Sequence, residues 1–190
     1  MSRRKEKAAA TRRQLMDATF ECLVEKGYHG TSTVAVCERA KLARGTMLHH
    51  FPTKEALVLA SIEDLLVRRV EEFRGELEEV KPEDLGALVH SLWAVLRGPT
   101  FVVWLELALA SRTNKVIAAE FRSVMNRFDE LVTGIVGASF PADIAGTHDL
   151  HTAVSLVFSS LNGLALDLLQ VEPAVVEKRV DLLASWVMER

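Results

Sequence analysis

The side chains best suited to chemistry lie between Thr31 and Lys54, and the chemistry they suit is contact with a polyanion. Arg44 is able to donate two hydrogen bonds to a guanine edge. Gly45 carries no side chain and lets its backbone approach another molecule closely. Thr46 is able to touch a base methyl or a phosphate. Lys54 suits a phosphate by charge. Thr31, Ser32 and Thr33 supply hydroxyls that fit a helix start, and Thr31 and Thr33, with the amides there, also suit a phosphate. His49 and His50 are neighbours, so on a helix their side chains diverge by about 100° and form a poor metal pair.

Catalytic readings find less support. His148, Asp149 and His151 place two imidazoles about one turn apart, yet no Glu-x-x-His pair or second carboxylate cluster accompanies them. No phosphate loop or nucleophile motif is present. Cys22 and Cys37 fit no metal spacing and read as small buried apolar residues. The expectation is a protein that is not an enzyme and needs no metal or cofactor.

The elements that must hold the 31–54 segment are helical. The chain has 190 residues, 49% of them apolar, with only 5 prolines and 10 glycines, which favours helices. No run approaches the ~18 uncharged apolar residues of a membrane span. The basic start, Met1 to Lys7, leads into no apolar signal segment. A cytoplasmic protein with no membrane partner is expected. The net charge of −3 hides an asymmetry: residues 1–54 carry +6 and residues 55–190 carry −9. A basic module facing a polyanion, joined to one that must not bind it, gives this pattern.

Residues 1–10 read as a flexible basic arm. Leu15, Ala18, Thr19, Cys22 and Leu23 recur at helical spacing from Thr11 to Lys26, and Gly27 ends that helix. Short helices over 33–40 and 44–50 are joined by the four residues Lys41 to Arg44, which makes a helix-turn-helix. Phe51-Pro52 breaks the chain, and Thr53 is placed to cap the next helix. That long helix runs from Lys54 to Val80, with Val58, Ile62, Leu65, Leu66, Val70, Phe73 and Leu77 inward and Glu71, Glu72, Glu76, Glu78 and Glu79 outward. Pro82, Glu83 and Asp84 start a helix that reaches Arg97. Further helices are predicted over 101–110, 114–138 (with Phe121, Val124, Met125, Phe128, Leu131 and Ile135), 148–170 and 173–188, with a loop at 139–148. The count is nine helices and no strand.

The segment Thr11 to Leu57 resembles the DNA-binding part of the TetR family of transcriptional regulators. Glu25-Lys26-Gly27-Tyr28, Thr31-Ser32-Thr33, Ala40, Arg44-Gly45-Thr46-Met47 and His49-His50-Phe51-Pro52-Thr53-Lys54-Glu55-Ala56-Leu57 carry the resemblance. It implies an all-α, nine-helix fold, with a helix-turn-helix DNA-binding domain at 11–53 and a ligand-binding and dimerisation domain at 54–190. It implies that Thr31, Ser32, Thr33, Arg44, Gly45, Thr46, His49, His50 and Lys54 face double-stranded operator DNA, His50 at a phosphate and His49 in the groove. Three positions depart from the family. Leu48 stands where a tyrosine hydroxyl commonly meets a phosphate, Ala43 where a serine often caps the third helix, and Lys41 where glycine is usual in the turn.

A palindromic operator calls for a two-fold dimer with recognition helices about 34 Å apart. The resemblance places the homodimer interface on the last two helices, where Val154, Val157, Leu161, Leu164, Leu168, Val180, Leu183, Trp186 and Val187 exceed what one core needs. A pocket for a small apolar or aromatic effector is expected among Trp93, Phe101, Trp104, Phe121, Met125, Phe128 and Phe158. Glu106 and Asn162, polar groups in apolar runs, would orient the ligand there. The implied function is a repressor released when ligand binding moves the fourth helix. Two alternatives stand beside it: an interaction or ligand-sensing module with weakened DNA binding, and a helical enzyme.

Overall fold

A computed structural model describes residues 3–77, 80, 84–140 and 149–188. Glu78, Glu79, Pro82, Glu83, His148 and positions 141–148 of the expected loop lie outside the described residues. Among those described, every regular element is a helix: α1 (Arg3–Gly30), α2 (Thr33–Arg39), α3 (Arg44–His50), α4 (Lys54–Leu77), α5 (Leu85–Leu96), α6 (Pro99–Ser111), α7 (Lys115–Ser139), α8 (Leu150–Asp167) and α9 (Pro173–Met188). Among the described residues the all-α, nine-helix expectation holds. The chain divides into two compact units, Met1–Leu66 with Val102–Val124, and Val67–Phe101 with Met125–Arg190.

In the first unit, the apolar stripe of α1 meets α2, α3 and the start of α4. Leu15, Ala18, Cys22, Val36, Cys37, Ala40, Met47, Phe51 and Leu57 form one buried cluster. Both cysteines are free and buried, and burial raises the Cys37 thiol pKa, so it stays protonated. Residues 3–10, expected as a flexible arm, instead continue α1 as helix. Ala8 to Ala10, with Arg, Lys and Glu before them, are strong helix formers. Gly27 does break α1, with φ 65° and ψ 179°, but one further turn follows to Gly30. That φ/ψ region is essentially open to glycine alone.

In the second unit, α5, α8 and α9 pack pairwise. Two aspartates start helices by accepting backbone N–H groups: Asp84 from Ala87 at 2.8 Å, and Asp149 from Thr152 at 2.9 Å. The latter bond, with one from the Thr152 hydroxyl, lowers the Asp149 carboxyl pKa. The Trp93 indole N–H donates to both carboxylate oxygens of Glu177, at 3.1 and 3.0 Å, tying α5 to α9. His151 pairs with Asp129, whose other oxygen accepts from Ser155 at 3.0 Å. Among the described residues, no group of three or more His, Cys, Asp or Glu is placed to hold a metal ion.

Two details of the helical pattern differ from expectation. Leu131, expected inward on α7, is exposed and lines an open groove with Arg74, Glu130 and Ile135. Helix α8 begins at Leu150, with Asp149 as its cap, and ends at Asp167. Among the described residues, no single helix is long and apolar enough to cross a membrane.

Candidate nucleic-acid interface

Helices α2 and α3 are short because their caps stop them. Ser32 starts α2, its hydroxyl accepting the Ala35 N–H at 3.1 Å. At the other end, Leu42 N–H returns to the Cys37 carbonyl at 3.0 Å and Lys41 N–H to that of Glu38 at 3.1 Å. This is the Schellman arrangement, which needs a left-handed residue at Lys41's position. Lys41 supplies it with φ 51°, the strained geometry that its departure from glycine implies. The Gln14 amide adds a bond from α1 to the Ala40 carbonyl at 2.7 Å. Arg39 binds Glu21 and Glu25 of α1, and that partner lowers the Glu25 carboxyl pKa.

Helix α3 has Ala43 at its N-cap, in extended conformation and with no side-chain hydrogen bond. Ala43→Ser is expected to stabilise the protein by about 1 kcal/mol. That raises Tm by about 2–4 °C for a chain of this size, and an unchanged melting curve would refute it. Met47 anchors α3 in the core, while Arg44, Gly45, Leu48 and His49 are exposed and Thr46 and His50 half-buried. At its end, Phe51 is buried, and the Arg12 guanidinium lies 4.4 Å from its ring centroid. Thr53 caps α4 as expected, accepting the Ala56 N–H at 3.0 Å.

Arg44, Gly45, Thr46, His49 and His50 thus share one short helix, with Ser32 and Thr33 at the start of α2. Two expected members are placed differently. Thr31 is only 2% exposed, and its hydroxyl donates to the Gly27 carbonyl at 2.8 Å. It closes the α1 kink and neither caps α2 nor reaches outward. Lys54 donates to the Tyr28 carbonyl at 2.6 Å and sits 4.3 Å over the Tyr28 ring. Burial lowers its ammonium pKa.

The residue that sequence reasoning assigned elsewhere is Glu106. Its Oε2 accepts the Tyr28 N–H at 2.7 Å, and a Cβ on Gly27 would lie 2.5 Å from that oxygen. Asn114 donates to the Tyr28 hydroxyl at 3.3 Å, which itself points to Glu55 at 3.5 Å. Burial raises the Tyr28 pKa. The kink frees a backbone N–H, and a carboxylate in the apolar run of α6 satisfies it. Glu106, expected to orient a ligand, therefore has a partner within the protein.

The other expected pocket residues are scattered through the core. Trp93, Phe101, Phe121 and Phe128 are buried, while Trp104, Met125 and Phe158 are partly exposed. Phe128 and Phe158 are in ring contact, with centroids 5.4 Å apart and planes tilted by 55°. The Asn162 amide donates back to the Phe158 carbonyl at 2.9 Å. None of them lines the apolar cavity of about 40 Å³ in the second unit. That cavity is bounded by Leu85, Leu88, Val89, Leu92, Val136, Leu150, Ala153, Val154, Val157 and Val187. Val154, Val157 and Val187, expected at the dimer interface, thus line a cavity. Val154, Leu161 and Val180 are buried inside the chain, because they sit on the faces where α5, α8 and α9 meet. Leu164, Leu168 and Leu183 are half-buried. The large apolar side chains exposed on α8 and α9 are Leu156, Leu166, Val175, Leu182, Trp186 and Met188.

Two short helices joined by a tight capped turn, with the second exposed at its basic N-terminal end, define a helix-turn-helix DNA-binding unit. Residues 15–61 match the family described as bacterial regulatory proteins, tetR family. The HTH-type transcriptional regulator CymR of Pseudomonas putida is 28% identical over 163 residues, covering 85% of this chain and 80% of that protein. Among solved structures, a TetR-family regulator from Rhodococcus sp. superposes with a TM-score of 0.78 at 16% identity, over 94% of this chain and 99% of that one. The Bacillus subtilis regulator FadR, in complex with stearoyl-CoA, superposes with a TM-score of 0.66 at 18% identity, over 93% and 95%. Residues 15–61 thus carry a helix-turn-helix DNA-binding segment of the tetR type, and over most of its length the chain is similar to transcriptional regulators.

Proposed function

We propose that the protein is a ligand-responsive repressor that binds a palindromic operator as a homodimer and is released by a small apolar effector. Residues 11–53 read the DNA, and residues 54–190 carry the effector and dimer functions. In this reading, Arg44 meets a base edge, Thr46, His49 and His50 meet bases or phosphates, and Ser32 and Thr33 lie on the backbone beside them. Homodimerisation is supported by Leu156 and Trp186, 66% and 62% exposed, a cost in water that a second copy removes. An apolar effector is supported by the wholly apolar lining of the cavity, and FadR of Bacillus subtilis holds an acyl-CoA in a similar fold. Such pockets span about 300–1,000 Å³. Binding would therefore enlarge the space and select a conformation that the DNA-bound state disfavours.

The observation that carries the DNA reading is Gly45. A Cβ there would meet nothing within 4 Å, so the protein's own packing does not call for glycine inside α3. Close approach by another molecule would. Gly45→Ala is expected to stabilise α3, by up to about 1 kcal/mol, and to weaken binding at least tenfold. The probe is a duplex selected from a random-sequence library by the natural protein, and the readout is gel retardation at fixed salt. If the natural protein selects no sequence, or Gly45→Ala binds as tightly, the reading fails.

A further inference from the structure

The start of α1 presents a charged surface that forms no ion pair among the described residues. Arg3, Arg4, Lys5 and Lys7 stand on a helix whose residues 3–10 are all exposed. None of the four forms an ion pair with a described residue. Arg13, further along, is drawn to Asp17 at 3.6 Å and Asp64 at 4.0 Å. The side of α1 facing α3 is fixed by Arg12, which stacks on Phe51 just after His50. Counting back from Arg12 at 100° per residue, Lys5 lies about 20° away and Arg4 about 80° away, whereas Lys7 and Arg3 lie about 140° and 180° away. Lys5 is about 10 Å further along the axis from Arg12. Arg4 and Lys5 therefore prolong the edge of the recognition surface beyond α3.

We propose that this extension is a second DNA contact: Arg4 and Lys5 sit on backbone phosphates of the duplex flanking the operator, while Arg3 and Lys7 face away. The inference rests on the operator-binding reading and adds a flank contact to it. Several features favour duplex DNA over other anionic partners. The charges are on the side that Arg12 shares with α3. The extension continues α1 without a break, so its position is set by the same core as the recognition helix. Its uncharged residues are Ala8, Ala9 and Ala10, too small to form the apolar face with which a helix enters a membrane surface. Phosphate contacts of this kind add affinity and carry no sequence information.

The experiment compares the full-length protein with two variants, Arg4→Ala/Lys5→Ala and Arg3→Ala/Lys7→Ala. Alanine keeps the helix in both, and circular dichroism and Tm check that they fold alike. Binding is measured across a salt series, on the selected duplex extended by one helical turn at each side and on the same duplex trimmed to the site. Each phosphate contact contributes about 0.9 to the slope of log K against log salt. The Arg4/Lys5 variant is expected to lose about 1.8 of slope per protomer on the extended duplex and little on the trimmed one. The Arg3/Lys7 variant should keep the natural slope. Salt-dependent, sequence-selective binding by the natural protein with an unchanged slope in the Arg4/Lys5 variant overturns the flank contact alone. So does an equal loss from both pairs, since the charge would then act only by general attraction. Absence of selective binding by the natural protein counts against the operator reading itself.

Discussion

If the protein is the proposed homodimeric repressor, replacing Leu156 and Trp186 together by arginine is expected to yield a folded monomer that no longer holds its operator tightly. Both side chains stand in water, and substitutions at such positions usually change stability by about 0.5 kcal/mol or less. The fold therefore survives. In the proposed homodimer the loss would fall on association, because two-fold symmetry would bury four new arginine charges in one interface. Two linked half-site contacts gain about 10²- to 10⁴-fold over one, so operator affinity should drop at least about 100-fold. Sedimentation gives the oligomeric state and gel retardation the affinity. A variant that remains dimeric and binds as before would remove α8 and α9 from the interface.

The second large effect is expected at Gly27. Gly27→Ala forces a side chain into a backbone region almost closed to it, which costs about 1–3 kcal/mol. The new Cβ also lies 2.5 Å from Glu106 Oε2 and pushes that carboxylate off the Tyr28 N–H. Leaving a partly buried donor without its acceptor adds about 1–3 kcal/mol. The combined loss of about 2–6 kcal/mol lowers Tm by about 4–24 °C. Adding Glu106→Ala to Gly27→Ala should cost less than the two single losses summed, because both break the same contact. Strict additivity in urea unfolding would show that Glu106 does not cap the kink.

The helices were legible wherever apolar residues recur at a helical period. The stripe of Leu15, Ala18, Thr19, Cys22 and Leu23 is buried, and α9 spans Pro173–Met188, beginning and ending where its pattern does. Caps were legible where one side chain serves its own helix, as Thr53 does. The strain at Lys41 could be read because the turn demands a left-handed residue whatever stands there. Position 31 shows the limit: three adjacent hydroxyls look alike in sequence, and only the kink at Gly27 decides that Thr31 turns inward. Glu106 shows a second limit. A carboxylate in an apolar run signals an unmet need, but its partner lies 78 residues away in the chain. The faces of α8 and α9 failed for a related reason. Both carry apolar residues nearly all round, so periodicity could not separate those buried within the chain, such as Leu161 and Val180, from those left in water, such as Trp186.

The Tyr28 junction bears on how regulators of this kind can be recombined. Its backbone and ring are held by Lys54 and Glu55 from α4, Glu106 from α6 and Asn114 just before α7. A chimera cut after Thr53 would discard all four and leave the α1 kink unsupported. Cutting instead so that residues 102–124 travel with residues 1–66 keeps every one of these ties. Swapping DNA specificities between such proteins is therefore an exchange of two stretches of chain.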